Sequence, residues 1–213
     1  GTGALSEHPA WCANPWIDWE TKLPPPGGTI VLLGTGLTTV DAIVTLLALD
    51  WRGPIHAVSR HGLLPQSHFK GIEYSDFPPA GVDVTTLGLE SLANLIAEHC
   101  TRLRDRHENP AIIVDKMRPH TQRVWQAFSD GERREFCQRH AARWNVIRHR
   151  IAPTIHQQVT AALAHGRLTI TRSAITRLES DGPRIHVHLR DRDDRPAHLD
   201  GALVINCTGP HTR

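Results

Sequence analysis

The sequence predicts an α/β protein: a parallel sheet with a helical insert and a short antiparallel β-meander. Three observations predict it. First, "TIVLLGTGLTTVDAIVTLLALD" (29–50) passes from a continuous apolar run through a glycine turn into an amphipathic helix, and "IHAVS" (55–59) follows as a second apolar run. A strand, turn, helix and strand within about thirty residues is the size of a unit that pairs its two strands in parallel. Second, apolar residues recur at helical spacing from Leu87 to about Ala164. Third, the last part of the chain alternates at period two between turn signals.

Taken in order, residues 1–28 are rich in Pro, Gly and Trp, end "KLPPPGG", and read as an extended connector. Residues 29–213 read as one domain carrying the insert. Thr29–Leu33 suits a buried parallel strand. In the helix that follows, Val40, Val44 and Leu47 stand at i, i+4, i+7 with Ile43 beside them. Gly53-Pro54 breaks the chain before the second strand. In the insert, "LESLANLIAEHCTRLRDRH" places Leu92, Leu95, Ile96, His99 and Leu103 on one side, and "TQRVWQAF" and "ERREFCQRHAARWNVIRHR" continue the pattern. The segments "GRLTITRSAITRLES", "RIHVHLRDR" and "GALVINCTG", separated by "DG" and "RDDRP", predict a meander and then a buried strand at Ala202–Asn206. No internal repeat is visible.

Composition narrows the function classes. A chain of 213 residues with 39% hydrophobic content builds one core, or one with a substantial insert. No apolar run is long enough to span a bilayer. A net charge of +2 and a pI near 8.5 argue against a nucleic-acid partner. Residues 101–150, however, hold twelve Lys+Arg against six acids, a local excess of +6. That excess is either a solvated helical face or an attraction for an anionic ligand. Cys12, Cys100, Cys137 and Cys207 are scattered, as free thiols in a reducing, cytoplasmic compartment are. The fifteen histidines form no metal-binding pattern. The chain begins Gly-Thr-Gly, its only methionine is Met117, and no signal-peptide pattern is present. We therefore expect an excerpt of a longer protein.

"GTGLTT" supplies Gly34 and Gly36 as the first two glycines of GxGxxG. The first makes a tight turn, and the second lets backbone approach a pyrophosphate seated on the helix N-terminus. Thr39 stands where the third glycine would, and its Cβ should hold helix and strand slightly apart. Thr38 and Thr39 offer hydroxyls to phosphate and are equally plain N-caps. A glycine-rich turn with only a packing role is the competing reading. At the end of the second strand, where an NAD site places Asp or Glu, stand Ser59 and Arg60. A 2′-phosphate calls for a cation and a hydroxyl donor, not an acid. NADP(H) is thus favoured over NAD(H), and the missing acid also weighs against S-adenosylmethionine. The candidate cofactor-binding residues are Gly34, Thr35, Gly36, Leu37, Thr38, Thr39, Ser59 and Arg60. No metal site is expected, and no catalytic residue is assigned.

"NPWIDW" (14–19), "VLLGTGLTTVDA" (31–42), "GPIHAVSRHGLLPQSH" (53–68), "WNVIRHRIAP" (144–153) and "VINCTGP" (204–210) together resemble the FAD/NAD(P)-binding proteins related to flavin-containing monooxygenases. That family includes an FAD-dependent urate hydroxylase and uncharacterised members. The resemblance covers essentially the whole chain in order. It implies a Rossmann-like NAD(P) domain, with the opening Gly-Thr-Gly and "INCTGP" as the crossings out of and back into an FAD domain. It gives Gly34, Gly36 and Thr38 the phosphate-turn roles and Arg60 the 2′-phosphate role. FAD would be held by a domain elsewhere in a longer chain or by a partner, and a small-molecule substrate is oxidised there. Neither a nucleic acid nor a membrane is expected as partner. A non-catalytic dinucleotide-binding module, a sensor or assembly domain, is the alternative. A self-contained dehydrogenase is weaker, since Tyr74, the only tyrosine, has no lysine four residues on. "RHR" at 148–150 is expected to be chiefly structural or a docking surface, with ligand contact as the alternative.

Overall fold

The structure is a computed structural model that describes residues 5–69, 71 and 73–209. The chain forms two compact units. One runs to Pro65 and resumes at Ile151; the other is Gln66–Arg150.

The first unit is built on a five-stranded sheet in which every pairing is parallel. Its strands are β1 (Trp11–Cys12), β2 (Ile30–Leu33), β3 (Ile55–Ser59), β4 (Leu168–Arg172) and β8 (Leu203–Asn206), in the order β1-β8-β2-β3-β4. Alternation along each strand feeds two different cores. Ile30 and Leu32 of β2, Ile55 and Ala57 of β3, and Leu203 and Ile205 of β8 pack against helices α2 (Leu37–Ala48) and α8 (Pro153–Ala164). Val31 and Leu33, Val58, and Val204 point the other way, onto Ile185, Val187 and Leu189. Those three belong to β6 (Arg184–Arg190), the middle strand of an antiparallel sheet with β5 (Ala174–Asp181) and β7 (Pro196–Gly201). The unit is therefore a helical layer, a parallel sheet and an antiparallel sheet.

Three sequence expectations change in detail. The connector at 1–28 contains α1 (Trp19–Lys22) and also β1, which pairs with β8 at the sheet's edge. The helical stretch 87–164 divides: α8 packs on the parallel sheet, while the helices before it belong to the second unit. The run "GRLTITRSAITRLES" divides as well. β4 joins the parallel sheet beside β3, and the meander proper starts at Ala174, one residue past the buried Ser173. The expected crossing at the opening Gly-Thr-Gly, and Pro210 of the returning one, lie outside the described residues.

The second unit is helical. It comprises α3 (Leu89–Asp105), α4 (Ile112–Met117), α5 (Thr121–Ala127), α6 (Asp130–Glu135) and α7 (Ala141–Arg148), with a 3-10 turn at Arg118–His120 and a π-helical turn at Phe136–His140. Its own core joins Phe77, Leu92, Leu103, Ile113 and Met117. No helix among the described residues is long and apolar enough to cross a membrane.

Candidate functional site

After β2 the chain steps to β3 and then β4 on one side, and returns as β8 on the other. The strand order thus reverses between β2 and β8, and the crevice at such a point, outside the strands' carboxyl ends, is where open parallel sheets bind ligands. The turn Gly34–Thr38 fills that position.

Each residue of the turn is set by a distinct constraint. Gly34 has φ +110°, and a Cβ there would lie 3.0 Å from the carbonyl oxygen of Cys207. Both the backbone and the space exclude a side chain. The Gly34 N–H donates to Val58 O at 2.7 Å, and Cys207 N–H donates to Leu33 O at 2.8 Å, so the turn is clamped from both neighbouring strands. Gly36 differs. Its φ is −83°, and a Cβ would meet nothing within 4 Å. The protein itself does not demand glycine at that position; what glycine provides is bare backbone facing open space. Gly36 is the N-cap of α2 with no side-chain hydrogen bond, and no acid lies in the first helical turn. The N–H groups of Leu37 and Thr38 meet no acceptor among the described residues. The positive end of α2 is therefore unscreened and open to an anion.

Thr39 departs from the expectation for it. It is 0% exposed, within the first turn of α2 rather than at its cap, and its N–H already donates to Gly36 O at 3.1 Å. Its hydroxyl is buried with no hydrogen-bond partner among the described residues, and burial likewise pushes the pKa of the nearby Cys207 thiol up to about 12. Its side chain is buried and so does not face the turn's open side.

The hydroxyls of Thr35 and Ser59 form a closed relay. Thr35 Oγ1 lies 2.6 Å from Leu63 O, which can only accept, so the Thr35 proton goes there. Gly62 N–H donates to Ser59 Oγ at 3.0 Å. The 2.8 Å contact between the two hydroxyls must then carry the Ser59 proton to Thr35. Ser59 is left with no proton for a phosphate. The structure makes it a tie between the glycine turn and the loop 60–63, where the sequence suggested a donor.

Arg60 directly follows β3, is exposed, and has no acid partner among the described residues. Beside it stands a cation the sequence reading missed. Arg172 ends β4 in register with Ser59, is exposed, and is likewise without an acid partner. Gly62, at φ +61°, permits this proximity, because a Cβ there would come within 2.9 Å of the Arg172 Cβ. The signal was "TITR", a strand ending in a cation, but assigning that strand to the meander removed it from β3. Arg150, by contrast, is 5% exposed at its side chain, bonded to Asp115 at 2.5 Å and stacked 4.6 Å from the Phe69 ring. It is structural within the second unit, whereas Arg148 is exposed on the last turn of α7.

No protein-family model and no curated protein matches the chain. Solved structures do. L-lysine 6-monooxygenase from Pseudomonas syringae aligns with all of this chain over 42% of its own, with a TM-score of 0.53 and 17% identity. Ornithine hydroxylase from Pseudomonas aeruginosa (TM-score 0.49, 15% identity, 100% and 42% of the two chains) and a lysine monooxygenase from Nocardia farcinica (0.46, 15%, 96% and 37%) are also similar. The likeness is one of fold and rests on the first of these. The chain spans less than half the length of each.

Proposed function

We propose that this chain is the NADP(H)-binding domain of a flavin-dependent oxidoreductase or monooxygenase, presenting nicotinamide to an FAD held by another domain of a longer chain or by a partner. The observation that carries the reading is the open α2 N-terminus at the switch point, with bare backbone at Gly36 and free N–H groups at Leu37 and Thr38. A pyrophosphate fits there, because it needs donors and close approach and meets no side chain. Arg60 and Arg172 suit a 2′-phosphate, and no carboxylate pairs with either among the described residues. The fold likeness to part of a monooxygenase chain supports the same reading.

When bound, the nicotinamide supplies hydride, and flavin supplies the oxygen chemistry. The residues of this chain bind and orient. Gly34 and Gly36 shape the turn, Leu37 and Thr38 donate backbone N–H groups, Arg60 and Arg172 select the 2′-phosphate, and Thr35 and Ser59 hold the selecting loop in place.

Calorimetry with NADPH and NADH on the wild type and Arg60→Ala tests this. The variant should lose roughly 1.5–3 kcal/mol toward NADPH and little toward NADH. Equal losses for both cofactors would refute the 2′-phosphate role. A sensor or assembly module would bind NADPH equally well but would not pass hydride to flavin, so rapid-mixing reduction of the natural full-length protein separates the two readings.

A further inference from the structure

The helical unit Gln66–Arg150 holds a cavity of about 560 Å³ between α3, α4, α5, the π-helical turn and α7. Its walls are apolar, with Leu92, Ile96, Met117, Phe128, Phe136 and Trp144 among them. The π-helical turn builds the aromatic side. It sets the Phe136 ring edge-on to Trp125 at 5.8 Å and to Trp144 at 6.4 Å, and stacks it on His140 at 6.2 Å. Single π turns of this kind occur frequently at functional sites.

The polar part of the lining has one sign. Arg104, Arg143 and Arg148 line the cavity together with His140, and no carboxylate lines it. Within the same unit Arg102, Arg118, Arg133, Arg139 and Arg150 all sit on carboxylates. The three lining arginines have no such partner and are exposed. An apolar, half-open cleft lined by unpaired guanidiniums and free of acids matches a ligand with an apolar body and a negative head.

We propose that this cavity binds a small organic anion, an aliphatic or aromatic carboxylate whose body lies against Leu92, Ile96, Phe136 and Trp144 and whose carboxylate meets the arginines. The site lies wholly within the second unit and does not depend on the nucleotide reading. Its volume falls in the range of sites that enclose drug-sized molecules.

The test uses three ten-carbon probes, decanoate, decan-1-ol and decylammonium, titrated calorimetrically into the whole chain. Decanoate should bind saturably at one site, at least roughly tenfold more tightly than either of the others. The triple variant Arg104→Gln, Arg143→Gln, Arg148→Gln should lose at least roughly tenfold toward decanoate and leave decan-1-ol unchanged. All three positions are exposed, so the melting temperature should hold. Ala97→Trp, at an exposed lining position of α3, should block decanoate and decan-1-ol alike. NADPH affinity, measured on the same variants, should not move. Equal binding of the three probes, no saturable decanoate binding, or an unaffected triple variant would each overturn the anion site. A triple variant that lost NADPH while keeping decanoate would overturn it too, by assigning the arginines elsewhere.

Discussion

Ser59 and Arg60 are neighbours with opposite kinds of work, and substitution separates them. Ser59→Ala removes the proton that Thr35 accepts and strands the Gly62 N–H. Leaving such groups unpaired should cost about 1–2 kcal/mol of stability. Because the relay joins the glycine turn to the loop 60–63, affinity for NADPH and NADH should fall together, whereas Arg60→Ala is selective. Arg172→Ala should behave like Arg60→Ala, with a loss confined to NADPH; a variant indistinguishable from wild type would leave Arg60 as the sole selector. Thiol chemistry gives a further check at this scale. Burial raises the pKa of Cys207 to about 12 and also raises those of Cys12 and Cys100, while Cys137 is exposed. A native-state thiol titration should find Cys137 reacting first and Cys207 protected until denaturant is added. Gly34, Gly36 and Arg60 could be named as candidates from sequence because strand, turn, helix and strand follow one another in the chain. Arg172 was not, because its neighbour is more than a hundred residues away.

At the scale of elements, helix ends and one cross-strand pair carry testable charge. The N-terminus of α3 is closed from a distance in sequence: Glu132 accepts from Leu89 N–H at 2.8 Å while completing a capping box with Ser129 at the start of α6. The Leu89 N–H, then the N–H and the hydroxyl of Ser129, hold the Glu132 pKa below its ordinary 4.5. A depressed carboxylate contributes stability above that ordinary value, and the contribution is lost as pH falls through the lowered one. Glu132→Gln should therefore lower the melting temperature at pH 7 and bring wild type and variant closer together in acid. In the antiparallel sheet, His186 Nδ1 lies 2.6 Å from Asp200 Oδ1. The Asp200 hydrogen bond raises the His186 pKa above 6.5, and His186 lowers the Asp200 pKa below 3.8. The His186 contribution is complete below about pH 6.5 and vanishes as pH rises through the raised pKa. The Asp200 contribution is complete above about pH 3.8 and vanishes on acidification below it. Denaturation midpoints should thus be highest between those limits, and His186→Gln should flatten the fall that sets in above about pH 6.5. Periodicity revealed most of these elements but not their partners. A half-exposed parallel edge strand and a meander strand share period two, so β4 was placed in the wrong sheet. Likewise, the 3.6 period of α8 does not say which core it serves. β1 is two residues long, too short for any pattern to register.

At the scale of the molecule, the number of open helix N-termini limits how many dinucleotides the chain can hold. A buried or half-buried pyrophosphate needs backbone donors and the positive end of a helix dipole. Among the described helices of eight residues or more, α3 has its first N–H taken by Glu132. α7 runs on directly from the π-helical turn and has no free start. α8 begins at Pro153, which gives no N–H at the first position, and neither a glycine turn nor a parallel strand leads into it to let a pyrophosphate approach its backbone. That leaves α2, whose N-terminus the proposed NADP(H) site uses. The purified chain should therefore be colourless. Free FAD titrated into it should not bind tightly, measured by quenching of flavin fluorescence, and NADPH should not be consumed in air beyond the buffer rate. NADPH should still bind, since the residues proposed to hold it all lie within the first unit. A yellow preparation releasing one flavin per chain on denaturation would contradict this count and would require a second phosphate site that none of these helix ends provides.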